Sequence, residues 1–300
     1  MAKRALVLGG GGPVGIAWES GFLAGLAEAG LDLSDANFIL GTSAGSVVGS
    51  QLAMGRPAVA LASPFLSERP DQQASSPSQL LGSSPPDLSV LIQKMTAAVM
   101  GTGPAERARA DIGAWALQSQ TMSEDAFIAS FGQAIRDYPE GSWTDRFACT
   151  AVDTADGAFV VWNKDSGVSL GRAVASSCCV PGIFPPVTIR GHRYMDGGMR
   201  SATNADMAKG YDVVVVLALT VGGGAAASPM AEAFRRRMEA ELDTVRQGGS
   251  RVELIFPDAA CLEAFGLNLM DYRRRPAAAK AGLDQGRAQA GQLQSLWRAA

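Results

Sequence analysis

The sequence predicts an α/β fold built around a parallel sheet. Within the first 55 residues, short apolar runs ending in glycine alternate with helical spacing, in the order strand, loop, helix, strand, loop, helix. That order is the pattern of parallel strands joined by helical crossovers. Further on, Val213-Val214-Val215-Val216-Leu217 carries no polar residue, which suits a central strand covered on both faces. The chain has 300 residues, 47 % of them hydrophobic. That is enough apolar side chain to build one domain of this class and to exclude disorder throughout.

The elements follow in order. Residues 4–8 read as a buried strand running into four glycines. Val14, Trp18, Phe22 and Leu26 then recur at helical spacing, and Gly30 supplies a stop. Asn37 to Leu40 form a second strand, and the segment from Ser43 a second helix ended by Gly55 and Pro57. Residues 63–89, rich in Ser, Pro and Gln, read as a linker or a lid. Helices are expected over Leu88–Met100, Glu106–Gln118 and Ser123–Asp137, the last started by Ser123 with Glu124 and Asp125. Two strands, 147–153 and 158–162, flank an Asp156-Gly157 turn. A helix over 169–178 is stopped by Pro181, and residues 185–198 read as a strand or hairpin leading to a turn. Helices at 229–247 and 277–298 bracket a last strand in VELIFP. The expectation is a single domain over 1–300, with a variable insertion at about 60–145 and a helical C-terminal tail at about 260–300.

Charge and cysteine usage narrow the function. Lys and Arg number 26 against 29 Asp and Glu, a net charge of −3. Without a basic excess the chain is not expected to bind nucleic acid. Cys149, Cys178, Cys179 and Cys261 show no C-x-x-C spacing, so reduced thiols are expected rather than a metal site or a disulfide framework. No apolar run approaches the roughly 20 residues that span a bilayer, and Ala5 to Leu8 is too short for a signal-peptide core. A cytoplasmic protein is expected, with transient peripheral membrane contact left open. Arg235–Arg237 and Arg273–Arg275 are solvated faces or contacts to anionic head groups.

Three motifs carry chemistry. The run Gly9 to Gly15 satisfies G-x-G-x-x-G between a strand and a helix. A dinucleotide site would also show it, but would end its second strand on an acidic residue, and here that strand enters Gly41-Thr42-Ser43-Ala44-Gly45. The other use of such a loop is an anion cradle, with backbone N–H groups and a helix N-terminus aimed at one oxygen. Gly41 to Gly45 is a G-x-S-x-G at a strand-to-helix junction, where flanking glycines permit the sharp turn that exposes a serine nucleophile. The plainer reading makes Ser43 a helix N-cap. A nucleophile needs a base. His192 is the sole histidine, so a Ser-His-Asp triad must use it, and too few strands precede Ser43 for a standard α/β-hydrolase. Asp196, before Gly197 and Gly198, is the other base, or simply part of an Asp-Gly turn. Burial would raise its pKa toward the useful range.

The glycine loop after the first strand, G-T-S-A-G after the second, and the late D-G-G together resemble the patatin-like phospholipase family. The segment Ala175 to Pro186, with its P-G-x-F-P-P ending, is similar to a further family segment. The resemblance spans about residues 4–220 apart from the 60–145 region, and is greatest to bacterial, cytosolic-type members. It implies a three-layer α/β/α sandwich with a mostly parallel sheet and a Ser-Asp dyad. Ser43 matches the nucleophile and Asp196 the base. Gly10, Gly11 and Gly12 match the oxyanion loop, with Gly41, Gly45, Gly197 and Gly198 flanking the motifs. Val14 stands where members often carry Arg or Lys.

The implied activity is a serine acyl hydrolase acting on fatty-acyl esters, phospholipids or lysophospholipids among them, with no cofactor and no metal. Phe65, Leu66, Leu80, Leu81, Leu88, Leu91 and Ile92 could line an acyl channel or form ordinary core; Met95, Met100 and Met122 share that ambiguity. The competing classes are a non-catalytic lipid-binding or regulatory protein that keeps the fold, and a nucleotide-dependent oxidoreductase.

Overall fold

The computed structural model describes residues 2–68, 86–131, 143–219 and 229–298. Eight strands among them form one sheet. At its centre β1 (Arg4–Leu8) lies parallel between β2 (Phe38–Gly41) and β7 (Val213–Leu217). Beyond β7 runs β8 (Arg251–Ile255), and beyond β2 runs β3 (Phe147–Asp153), both also parallel. The far end turns antiparallel: β4 (Phe159–Trp162) and β6 (His192–Asp196) both pair with β3, and β5 (Val187–Ile189) pairs with β6. The 185–198 segment is therefore a hairpin, turned through Arg190 and Gly191, both at positive φ.

Apolar strands suit this sheet because both faces are covered. Leu6, Leu8, Val213, Val215 and Leu217 enter one core cluster, whereas Ala5, Val7, Val214 and Val216 enter another. This is the two-residue alternation of a strand. The first core receives α1 (Gly12–Glu28), α2 (Ala44–Ala53), α7 (Leu170–Cys178) and α10 (Arg275–Arg298). The opposite face receives α8 (Pro229–Arg246) through Leu242 and Val245. On that same face, Val152 and Met195 meet Leu91 and Ile112 of α4 (Ser89–Met100) and α5 (Ala105–Gln118). The result is a helix–sheet–helix sandwich.

Several elements differ from expectation. A helix, α3 (Ala58–Leu66), forms over residues assigned no element and the start of the expected linker or lid, with Pro64 inside it. Of the expected linker or lid, 63–66 belong to α3 and 69–85 lie outside the described residues. Ser123 caps α6 (Glu124–Ala129), accepting from the Ala126 N–H at 3.2 Å. The remainder of that expected helix beyond 131 lies outside the described residues. A short α9 (Ala259–Phe265) precedes the last helix. That last helix is no loose appendage. A Cβ on Gly21 or Gly25 of α1 would stand 2.1 Å from the Ala279 or Leu283 carbonyl oxygen, and one on Gly286 of α10 would stand 2.2 Å from that of Phe22. The two helices touch backbone to backbone. No helix among the described residues is long and apolar enough to cross a membrane.

Glu19 of α1 is fully buried, and neither carboxyl oxygen has a hydrogen bond of ordinary geometry. Burial holds its pKa well above the usual carboxylate range, opposed only by the Gly9 N–H. A carboxyl with a raised folded pKa binds its proton more tightly in the native state than in the unfolded chain. Its stability contribution is complete below the unfolded pKa and is lost as pH rises toward the folded value. Glu19→Gln is therefore expected to leave stability near pH 4 unchanged and to raise it at pH 8 by about 1–3 kcal/mol. Urea unfolding at the two pH values measures this.

Candidate active site

The site forms where β1 and β2 end side by side. β1 runs into Gly9–Gly12, and β2 runs through Gly41 and Thr42 into Ser43, the residue before α2. Ser43 has φ 52° and ψ −117°, a conformation costly for any residue with a Cβ. Its surroundings hold it there. The Ser43 N–H donates to Ser177 Oγ at 2.9 Å, and its carbonyl accepts from Ser46 Oγ at 2.6 Å and Cys178 Sγ at 3.1 Å. Gly45 leaves no alternative: a Cβ there would sit 2.1 Å from the Leu8 carbonyl oxygen. The sequence marks this turn by its two flanking glycines; Ser177 and Cys178 could be found only through the family segment 175–186.

Asp196 reaches Ser43 through the register of β3. Because β4 occupies Cys149–Val152 on one edge of β3, β2 and β6 must share the other. They run toward each other along it and stop two positions apart, Gly41 opposite Cys149 and Asp196 opposite Ala151. Two strand positions are about 7 Å, within reach of the turn that carries Ser43. Asp196 is 2 % exposed and Ser43 6 %. Burial pushes the Asp196 carboxyl up to about 7, with the Ser43 hydroxyl and the Gly198 N–H pulling the other way. Oδ1 accepts from the Gly198 N–H at 2.7 Å. Oδ2 is buried without a hydrogen bond of ordinary geometry. The Ser43 hydroxyl is thus near enough to favour the charged carboxylate but not aligned with Oδ2.

The glycine loop lies against this pair, and a Cβ on Gly10 would be 3.5 Å from Ser43 Cβ. Gly10 differs from the uniform donor role the resemblance implies. Its N–H is already given to the Ala202 carbonyl at 2.8 Å. Among the described residues, the N–H groups of Gly11 and Gly12 have no acceptor, nor does that of Ala44, the first residue of α2. Ala44 escaped the sequence reading, although the residue after a nucleophile at a helix N-terminus is a natural donor. The N–H of Val14 donates to the Leu269 carbonyl at 3.2 Å, and the missing Cβ of Gly12 faces Leu269 O and Met270 Sδ at 2.8 Å. The segment before α10 therefore backs the loop.

His192 stands apart. It begins β6, four residues from Asp196 at the other end, roughly 14 Å along a strand. Its side chain is 64 % exposed and its Nδ1 lies 2.9 Å from Asp153 Oδ2. His192→Ala is expected to leave any activity of the Ser43–Asp196 pair within about twofold of wild type, as for most surface changes; kcat/KM checks this. All four cysteines are free and buried. Among the described residues no group of three His, Cys, Asp or Glu side chains could hold a metal ion.

The apolar residues considered for an acyl channel divide. Leu80 and Leu81 lie outside the described residues. Leu66 and Ile92 are exposed. Phe65 packs on the main core, as does Met122. Leu88, Leu91 and Met95 pack with Met195, Met199 and Val180. Met100 is exposed. Of the arginine runs, Arg236 pairs with Glu232, Arg273 with Asp271 and Arg275 with Glu68.

A sequence model described as patatin-like phospholipase matches residues 6–209. That span contains the glycine loop, Ser43 and Asp196. Among curated proteins no sequence matches. Solved structures similar to this chain include VipD from Legionella pneumophila, 15 % identical with a TM-score of 0.47, covering 97 % of this chain and 67 % of VipD. The type III effector ExoU is 16 % identical with a TM-score of 0.38, covering 96 % of this chain and 53 % of ExoU. The full-length complex of SpcU with ExoU from Pseudomonas aeruginosa gives 18 % identity and a TM-score of 0.38, covering 95 % of this chain and 53 % of that one. This chain spans about half the length of the ExoU chains.

Proposed function

The chain belongs to the patatin-like phospholipase family, and on that footing we propose that it is a serine acyl hydrolase in which Ser43 is the nucleophile and Asp196 its base. The observation that carries this reading is a buried carboxyl raised to about 7 beside a serine held in a strained turn. A base poised near the working pH accepts a proton yet can return it.

Asp196 takes the proton from Ser43 Oγ as that oxygen bonds to the ester carbonyl carbon. The carbonyl π electrons move to oxygen. The N–H groups of Gly11 and Gly12, with that of Ala44, are the available donors to this oxyanion, at the N-terminal ends of α1 and α2. Gly10 contributes by lacking a side chain next to Ser43. The tetrahedral centre collapses, the C–O bond to the leaving alcohol breaks, and Asp196 protonates that alcohol. Water then attacks the acyl-serine with Asp196 again as base, releasing the fatty acid and restoring Ser43.

Fatty-acyl esters, phospholipids or lysophospholipids among them, are the proposed substrates. The family supports this class of substrate. Val14 leaves the loop without a cationic side chain, so an anionic head group would find its partner elsewhere. The test is hydrolysis of p-nitrophenyl esters of increasing chain length, with fluorophosphonate labelling of Ser43 in parallel. Turnover rising with acyl length and a labelled Ser43 are expected. A folded protein that neither turns over nor labels would instead be a non-catalytic lipid-binding member of the family.

A further inference from the structure

β2 and β6 do not pair with each other; each is held by β3. Something must fix the distance between the turn after β2 and the turn after β6. Asn204 occupies that place. It is fully buried in the left-handed region, at φ 51° and ψ 35°. Its Nδ2 lies 3.0 Å from Thr42 Oγ1 and 3.3 Å from the Gly197 carbonyl oxygen. Thr42 precedes Ser43 and Gly197 follows Asp196, so one amide nitrogen reaches both neighbours of the pair. The same nitrogen lies 2.9 Å from the Ser201 carbonyl oxygen and 3.3 Å from Thr150 Oγ1. Thr150 Oγ1 is itself 2.9 Å from Thr42 Oγ1.

The orientation of the amide is not arbitrary. Asn204 Oδ1 accepts from Arg200 Nη1 at 2.9 Å, and Arg200 is fixed by two bonds to Asp206, at 2.8 and 2.6 Å. Arg200 also lies over the Phe159 ring at 4.2 Å. Arginine has donors only, so Oδ1 must face it and Nδ2 must face the acceptors. A second set of bonds holds the loop itself: Glu241 of α8 accepts from Ser201 Oγ at 2.8 Å and from Thr203 Oγ1 at 3.2 Å.

We propose, on the reading of Ser43 and Asp196 given above, that Asn204 is a positioning residue that sets the Ser43–Asp196 separation by bridging Thr42 and Gly197. It touches neither substrate nor the reacting atoms. Its effect lies in geometry: a displacement of about 1 Å at a catalytic pair costs on the order of 10²-fold in rate.

Asn204→Gly tests this directly, because glycine adopts the left-handed backbone freely and only the amide is lost. Expected are kcat lower by about 10–100-fold with KM within about threefold, and fluorophosphonate labelling of Ser43 slowed by a similar factor. The Asp196 carboxyl, followed by carbon NMR, is expected to titrate higher than in wild type as the Ser43 hydroxyl moves away. Thr42→Val is a second, milder variant that removes one acceptor and keeps the packing. Its effect is expected to be about tenfold and not to add to that of Asn204→Gly, the sign of a shared contact. Labelling rate and Asp196 titration both unchanged in folded Asn204→Gly, or in Thr42→Val should the first not fold, would overturn the inference. The NMR titration decides it even where wild type hydrolyses no ester, an outcome that counts against the proposed activity instead.

Discussion

Ser43→Ala is expected to lower kcat/KM for a fatty-acyl ester by about 10⁴-fold or more, while the protein melts within a few degrees of wild type. The loss follows from chemistry, since the Ser43 hydroxyl is the one that bears on the Asp196 carboxyl. The near-constant stability follows from which atoms hold the turn. The contacts that fix Ser43 run through its backbone N–H and carbonyl, to Ser177, Ser46 and Cys178, and alanine keeps all three. Alanine also meets the same unfavourable backbone at φ 52°, so the strain neither rises nor falls. Steady-state hydrolysis, fluorophosphonate labelling and thermal melting read the three quantities. A Ser43→Ala protein retaining a tenth of wild-type activity would remove Ser43 from the reaction.

The elbow was legible because two glycines flank a serine between a strand and a helix, and the close approach of Gly45 to Leu8 is the physical reason for that spacing. The proposed partnership of Ser43 with Asp196 was legible only through family resemblance. Composition and spacing cannot reveal that β2 and β6 meet on one edge of β3; that depends on long-range register, Gly41 with Cys149 and Asp196 with Ala151. The same limit hid Asn204, which reads in sequence as an ordinary loop residue and whose Nδ2 faces Thr42, Thr150 and the carbonyls of its own loop at Gly197 and Ser201. Gly10 illustrates a different gap. Its type was right for a loop that must approach Ser43, but which N–H remains free depends on Ala202, nearly two hundred residues away. The C-terminal segment reads as a helical tail because nothing in α10 carries chemistry, yet its glycines let it lie against α1, the helix behind the glycine loop.

Asp196→Asn separates a catalytic carboxyl from a structural one, because activity and stability are expected to move in opposite directions. In wild type the base must be ionised. With its pKa raised to about 7, kcat/KM should fall about tenfold per unit below that value, reaching roughly 10²-fold at pH 5. Asparagine cannot take the Ser43 proton, so the variant should lose about 10³–10⁴-fold at pH 8 and show no such acid limb. Stability obeys the opposite sign. Burial raises the Asp196 pKa in the folded state above its unfolded value near 3.8, so the native protein binds the proton more tightly. That contribution is complete below pH 3.8 and is lost as pH climbs through about 7. At pH 8 wild type therefore carries a buried charge whose Oδ2 lacks an aligned donor, and a neutral amide of the same shape relieves it. Asp196→Asn should be more stable than wild type by about 1–3 kcal/mol at pH 8 and nearly equal to it at pH 4. A residue kept for packing would give the reverse, a variant less stable at every pH with activity falling only as far as folding does. Stability given up in that way would be the physical signature of a base placed for reaction rather than for the fold.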